Sequence, residues 1–152
     1  MITPADFWKG RDLAFVADKS TRTNATVTLA RINALLALAL KDGLLCDKCS
    51  SGWRPVGIND STANAAKNSR HIYGQAIDVA DPERKLAQWC LMNMDKLDKI
   101  GLWMEDPRWT PSWVHLQTVP PKSGKRIFIP NTSQPSAPPL LGQGNIPVSI
   151  KI

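Results

Sequence analysis

Two short alternating stretches constrain this chain more than any other feature. They cover residues 75–80 and 113–117. In the first, Ile77 and Val79 point one way and Ala76 and Asp78 the other. In the second, Val114 and Leu116 oppose Trp113, His115 and Gln117. A strand turns successive side chains to opposite faces. Burying the aliphatic rows therefore leaves Asp78 and His115 on the sides away from them. The sequence has only two histidines, and the other, His71, stands seven residues before Asp78. Imidazole and carboxylate are the ligands that a catalytic zinc ion favours, and three protein ligands leave a fourth position for water. If His71, Asp78 and His115 converge, the chain is a candidate zinc hydrolase.

Size and composition fit that reading. The 152 residues suit one domain with a substantial core. Hydrophobic content of 43% and charged content of 21% are ordinary for a globular protein. From Asn131 the chain is rich in Pro, Ser, Gly and Gln and includes Pro138-Pro139. We expect a domain over 1–130 and an extended tail over 131–152. The net charge of +6 suits an anionic partner such as a bacterial cell wall or a nucleic acid, or simply a solvated basic surface. Lys and Arg form no dense run, which argues against nucleic acid.

The first residues lack a basic region followed by an apolar stretch, so no signal peptide is expected. The longest apolar patch, over 32–40, contains Asn33 and is too short to span a bilayer. These features predict a soluble product made in the cytoplasm, with no membrane insertion. Three cysteines give no disulfide framework. Cys46 and Cys49 form one Cys-x-x-Cys pair, open to a redox or half-zinc reading, and Cys90 reads as a core residue on a helix.

The remaining elements follow from local signals. Thr3, Pro4 and Asp6 open a short helix ending near Gly10. Thr23 or Asn24 caps a core helix running to about Asp42, with Gly43 as its terminator. Residues 51–54 form a short extended piece, and 57–68 hold one helical turn. Asp81-Pro82-Glu83 starts a third helix whose apolar stripe is Leu86, Trp89, Cys90 and Met94. Short strands are expected over 102–104 and 126–130, with a loop over 105–112.

Three separated segments carry a resemblance. Ser69-x-His71-x-x-Gly74-x-Ala76-x-Asp78, then Trp113-x-His115, resembles the zinc peptidases that include D-alanyl-D-alanine carboxypeptidases, phage endolysin L-alanyl-D-glutamate peptidases and the Hedgehog signalling domain. Upstream, Ser51-Gly52-Trp53-Arg54 is similar to the Ser-Gly-Tyr-Arg segment of that family. The resemblance covers about residues 11–130. It implies an α+β fold of the Hedgehog/DD-peptidase kind, a small antiparallel sheet with packed helices. It also implies Zn2+ held by His71, Asp78 and His115, and a peptidoglycan stem peptide as substrate.

The same resemblance places Arg54 against the substrate, where a guanidinium can clamp a carboxylate or stabilise an oxyanion. A surface salt bridge is the plainer alternative for it. Ser69 can hydrogen-bond beside the site and hold the ligand loop. Trp53, Tyr73 and Trp113 are candidates for the cleft wall or for core aromatics. Gly74 allows a tight turn between the first two ligands.

One departure concerns the base. Many members carry Glu three residues before the last ligand, where this chain has Ser112. Glu105, with Asp106 in reserve, is the replacement expected to take a proton from water, unless both are surface loop acids. A compact basic chain of this kind fits a phage-encoded lysin or virion-associated wall hydrolase. The alternative is a non-catalytic phage structural or wall-binding protein that keeps the fold, with the tail over 131–152 as a docking segment for a virion partner.

Overall fold

The computed structural model describes residues 1–63 and 65–130. The expectation for 131–152 lies outside them. The chain folds as a mixed α+β domain around one five-stranded sheet. Its strands are β1 (Cys49–Ser51), β2 (Ala76–Ala80), β3 (Trp103–Glu105), β4 (Trp113–Gln117) and β5 (Ile127–Phe128), in the order β1-β2-β4-β3-β5. All pairs are antiparallel except β3–β5, which is parallel. The expected purely antiparallel sheet is thus corrected at one edge. After β4 the chain returns to the far side of β3 and runs in the direction of β3.

The first helix, α1 (Pro4–Trp8), starts as the sequence predicts. Thr3 and Asp6 cap it reciprocally, and Lys9 ends it at φ 51°. A single turn, α2 (Arg11–Ala14), follows. The long helix α3 (Lys19–Lys41) begins earlier than Thr23 or Asn24, because Asp18 accepts from the Thr21 amide at 2.6 Å. The hydroxyls of Thr23 and Thr26 donate instead to carbonyls one turn back, Lys19 and Arg22. That removes their competition with the helix. At the other end Gly43, at φ 84°, and the Leu44 amide, which donates to the Ala39 carbonyl, close the helix as expected.

By length and composition α3 is long enough and apolar enough to cross a membrane, which corrects the estimate from the patch at 32–40. Here it buries Thr21, Ala25, Thr28, Ile32, Leu35, Leu36 and Ala39 within the domain.

Downstream, α4 (Val56–Asp60) supplies the expected helical turn. The predicted third helix starts later than Asp81 and is two helices, α5 (Lys85–Met92) and α6 (Met94–Ile100). Asp81 still caps, from outside the helix, by accepting from the Leu86 and Ala87 amides. The ladder breaks at Asn93, whose side chain donates to the Trp89 carbonyl. Leu86, Trp89 and Cys90 are buried, whereas Met94 is exposed and leaves the expected stripe.

The helices cover one face of the sheet. Ile77, Val79, Met104, Val114 and Leu116 pack there with Phe7, Ile32, Leu35, Leu86 and Leu97 in one continuous core. Burying these apolar side chains supplies the main drive to fold, at about 25 cal/mol per Å2 of apolar surface. The sheet's other face carries the polar residues of β2 and β4. They are also buried: Asp78 is 8% and His115 9% exposed.

Candidate metal centre

The pairing register builds the site. Asp78 on β2 lies directly opposite His115 on β4. Cross-strand partners share a face, so their side chains meet. His71 enters from the turn before β2. Its Nε2 lies 3.2 Å from Asp78 Oδ1 and 3.2 Å from His115 Nδ1, and the latter two atoms are 2.8 Å apart. Gly74 makes this possible at φ 68°, and a Cβ there would lie 2.7 Å from the Thr21 carbonyl oxygen. Three donors on a tetrahedral zinc ion at about 2.0–2.2 Å would stand about 3.3 Å apart. His71, Asp78 and His115 can therefore hold a metal ion with shifts of a few tenths of an ångström.

His71 Nδ1 lies 2.7 Å from the Gly52 carbonyl, which only accepts, so a neutral His71 donates there and turns its Nε2 lone pair inward. His115 has an acceptor on each side, Asp78 Oδ1 2.8 Å from Nδ1 and Gln117 Oε1 3.4 Å from Nε2. With its proton on Nε2, three electron-rich atoms would face one place, which a metal ion can fill; without a metal, a proton on Nδ1 can bond Asp78.

The electrostatics agree. Burial pushes the Asp78 carboxyl up, but the two imidazoles beside it outweigh that and hold the group well below the usual carboxylate range. Burial pulls His71 down, more strongly than Asp78 lifts it. For His115 burial also pulls down, yet the hydrogen bond and charge of Asp78 push it up overall. Without a metal, His115 is thus the favoured seat for a shared proton, and metal and proton compete for one place.

Glu105 and Asp106 part company. β3 pairs with β4 through Trp103↔Gln117 and Met104↔Leu116. One step further in that register puts Glu105 beside His115, so Asp78, His115 and Glu105 form a row across three strands. Burial raises the Glu105 pKa, and its carboxyl feels His115, Asp78, Asp106 and Arg54. Asp106 turns to the Arg108 guanidinium, with contacts of 2.6–3.1 Å, and that partner lowers its pKa. Its expected role as a reserve base is not supported by this geometry. Ser112 is exposed and contributes its carbonyl to the Asp81 amide.

Arg54 is fixed at the backbone, where its amide donates to the His71 carbonyl at 3.2 Å. Its Nη2 donates to Ser69 Oγ at 3.1 Å, and the same hydroxyl accepts from the His71 amide at 3.4 Å. The guanidinium makes no ion pair among the described residues, and its buried Nε has no partner. Burial lowers its pKa, against the pull of Asp78 and Glu105. It is a partly desolvated cation beside the centre, not a surface salt-bridge residue.

Trp113 is half-buried on β4, on the same face as His115 and two residues before it. Tyr73 is 42% exposed on the turn after His71. Trp53 is a core residue. It is buried, stacks edge-on against Trp8 at 5.2 Å and donates from Nε1 to the Ile72 carbonyl. The extended piece expected at 51–54 lies earlier, as β1, because Gly52 presses against the α1 backbone: a Cβ there would fall 2.1 Å from the Phe7 carbonyl oxygen.

Comparison with protein-family models, with curated proteins and with solved structures gave no match. The site is therefore read from its own geometry. Two of its residues, Gly52 and Gln117, went unassigned in the sequence reading. The signal for Gln117 was present, since the 113–117 alternation puts it on the His115 face. The signal for Gly52 was only its place in Ser51-Gly52-Trp53-Arg54.

The cysteines do no comparable work. All three are free thiols. Burial pushes Cys49 up to about 11 and Cys90 up to about 12, and it raises Cys46 as well. A thiol held protonated is a poor nucleophile and metal ligand.

Proposed function

We propose that this chain is a zinc-dependent peptidase of the Hedgehog/DD-peptidase kind that cuts the stem peptide of peptidoglycan. The observation that carries the reading is the convergence of His71 Nε2, Asp78 Oδ1 and His115 Nδ1, with the Glu105 carboxyl near enough to feel His115 and Asp78. Two imidazoles and one carboxylate are a ligand set suited to catalytic zinc. Zinc bound there would supply Lewis acidity to water and to the scissile carbonyl. The motif resemblance supplies the substrate class. The +6 charge suits an anionic wall, and a phage lysin or virion-associated hydrolase is the matching context.

The residues divide the work. Glu105, with its raised pKa, takes the proton of the attacking water and passes it to the leaving amine. Arg54 offers a desolvated positive charge to a substrate carboxylate or to the developing oxyanion. Ser69 steadies Arg54 and the His71 loop together. Tyr73 and Trp113 flank the opening.

The test is hydrolysis of purified peptidoglycan by the zinc-loaded protein, beside Glu105→Ala and His115→Ala. We expect fragments from the wild type and from neither variant. A wild type that binds metal and releases nothing favours the second reading, a wall-binding or virion structural protein. The specific observation behind that reading is the exposed Ser112 where relatives carry the base.

A further inference from the structure

We infer that Gln117 is the positioning residue that selects which nitrogen of His115 faces the metal. The inference rests on the metal-centre reading and deepens it. Imidazole has two nitrogens, and the neutral ring carries one proton. Which one ligates is decided by what the other is bonded to. For His71 the partner is the backbone carbonyl of Gly52, which no side-chain change can remove. For His115 the partner is a side chain.

Gln117 is 5% exposed and sits two residues after His115 on the same face of β4. Its Nε2 donates to the Val119 carbonyl at 2.6 Å. A carbonyl only accepts, so this contact settles the orientation of the amide and leaves Oε1 toward the ring. Oε1 lies 3.4 Å from His115 Nε2, placed to accept its proton when Nδ1 ligates. The chain of contacts therefore runs from the Val119 carbonyl through Gln117 to His115 Nε2, and ends with the Nδ1 lone pair at the centre. The opposite tautomer would put an N–H of His115 2.8 Å from Asp78 Oδ1 and block the cation's place.

Gln117 also brings no charge. It holds the ring without adding a third acid to the row of Asp78 and Glu105. Among the described residues no other acceptor is bonded to His115 Nε2. Phe128 meets the ring edge-on at 6.2 Å and offers no acceptor there.

The test uses the full chain, with Gln117→Met to remove the acceptor at similar volume and Gln117→Glu to keep an oxygen toward Nε2. With only two histidines, proton–nitrogen correlation spectra of the imidazoles are readily assigned. Zinc affinity is measured separately by competition with a chromophoric chelator. In the zinc-loaded wild type we expect His115 to ligate through Nδ1 and to show a slowly exchanging Nε2–H resonance. Gln117→Met should lose that slow exchange and weaken zinc binding by roughly 10–100-fold. Gln117→Glu should keep the wild-type tautomer.

A wild-type Nε2–H resonance and zinc affinity in Gln117→Met would overturn the inference, as would loss of that resonance in zinc-loaded Gln117→Glu. Should the methionine variant fail to fold, the glutamate variant's spectrum decides. Failure of the wild type to bind zinc would contradict the metal-centre reading and the inference with it, whereas zinc bound equally tightly by the wild type and Gln117→Met would contradict the inference alone.

Discussion

Asp78 and His115 face each other across β2 and β4, with Oδ1 of one 2.8 Å from Nδ1 of the other. The contact depends on register. A one-residue slip between these strands would send one of the two side chains into the aliphatic core. The same pairing that buries Ile77 against Leu116 thus assembles the centre, and fold and site stand or fall together.

Metal should stabilise the protein. A ligand that binds only the folded state adds about 2.7 kcal/mol at a hundred times its dissociation constant. We expect the melting temperature to rise with added zinc and to fall back with chelator. His71→Ala should show no such rise, because it removes one of the three donors.

The metal-free protein should lose stability in acid, and the signs follow from the shifts. The folded Asp78 carboxyl is depressed, so its contribution is present above the unfolded value of about 3.9 and is lost as pH falls through the folded value. The depressed His71 adds a loss that begins near its unfolded value of about 6.5. The raised His115 and Glu105 act in the opposite sense above about pH 4.5, so denaturant titrations in chelator should show the fall from pH 4 downward. Asp78→Asn should flatten the most acidic part of that fall.

Glu105 and Asp106 should separate cleanly. Glu105→Gln is expected to cut hydrolysis by roughly 10²–10⁴-fold while zinc still binds. Asp106→Asn should leave the rate within a factor of about three, because its carboxylate is engaged by Arg108. The raised Glu105 pKa has an opposite consequence for stability. Its neutral form is favoured in the fold, so stability is lost as pH rises through the folded value. In chelator, Glu105→Gln should therefore stabilise the protein at pH 8 more than at pH 4.

Arg54→Ala should lower kcat/KM by roughly 10–100-fold, the loss expected for a hydrogen bond to a charged group worth about 1.5–3 kcal/mol. Zinc content should be unchanged, since the guanidinium is bonded to Ser69 and not to the three donors. Arg54→Lys should recover only part of the rate, because an ammonium cannot reproduce the fork of donors.

Gly52→Ala tests the support beneath His71. A Cβ at this position would meet the Phe7 carbonyl oxygen at 2.1 Å, so β1 or α1 must move. Movement of β1 carries the Gly52 carbonyl away from His71 Nδ1. We expect a stability loss of about 1–3 kcal/mol or more, together with weaker zinc binding. Thermal melts with and without zinc would show both.

Much of the site was legible because strand alternation is a short-range code. Residues 75–80 and 113–117 placed Asp78 and His115 on faces opposite the aliphatic rows, and the pairing of β2 with β4 joins them. The role of His71 depended on motif spacing, since a turn has no period to read. The start of α3 was misplaced because threonine hydroxyls that bond back along a helix resemble caps in sequence. The break at Asn93 and the parallel β3–β5 pair arise from tertiary packing and leave no local mark. Glu105 was preferred to Asp106 in the sequence, and the structure adds the reason that Arg108 captures the second acid.

The most direct measurement is metal content after equilibrium dialysis against zinc, for the wild type and for His71→Ala, Asp78→Ala and His115→Ala. The account predicts one zinc ion per wild-type chain and a loss of affinity greater than about a hundredfold in each variant. A folded wild type that retains no zinc, or variants that retain it as well as the wild type, would contradict it.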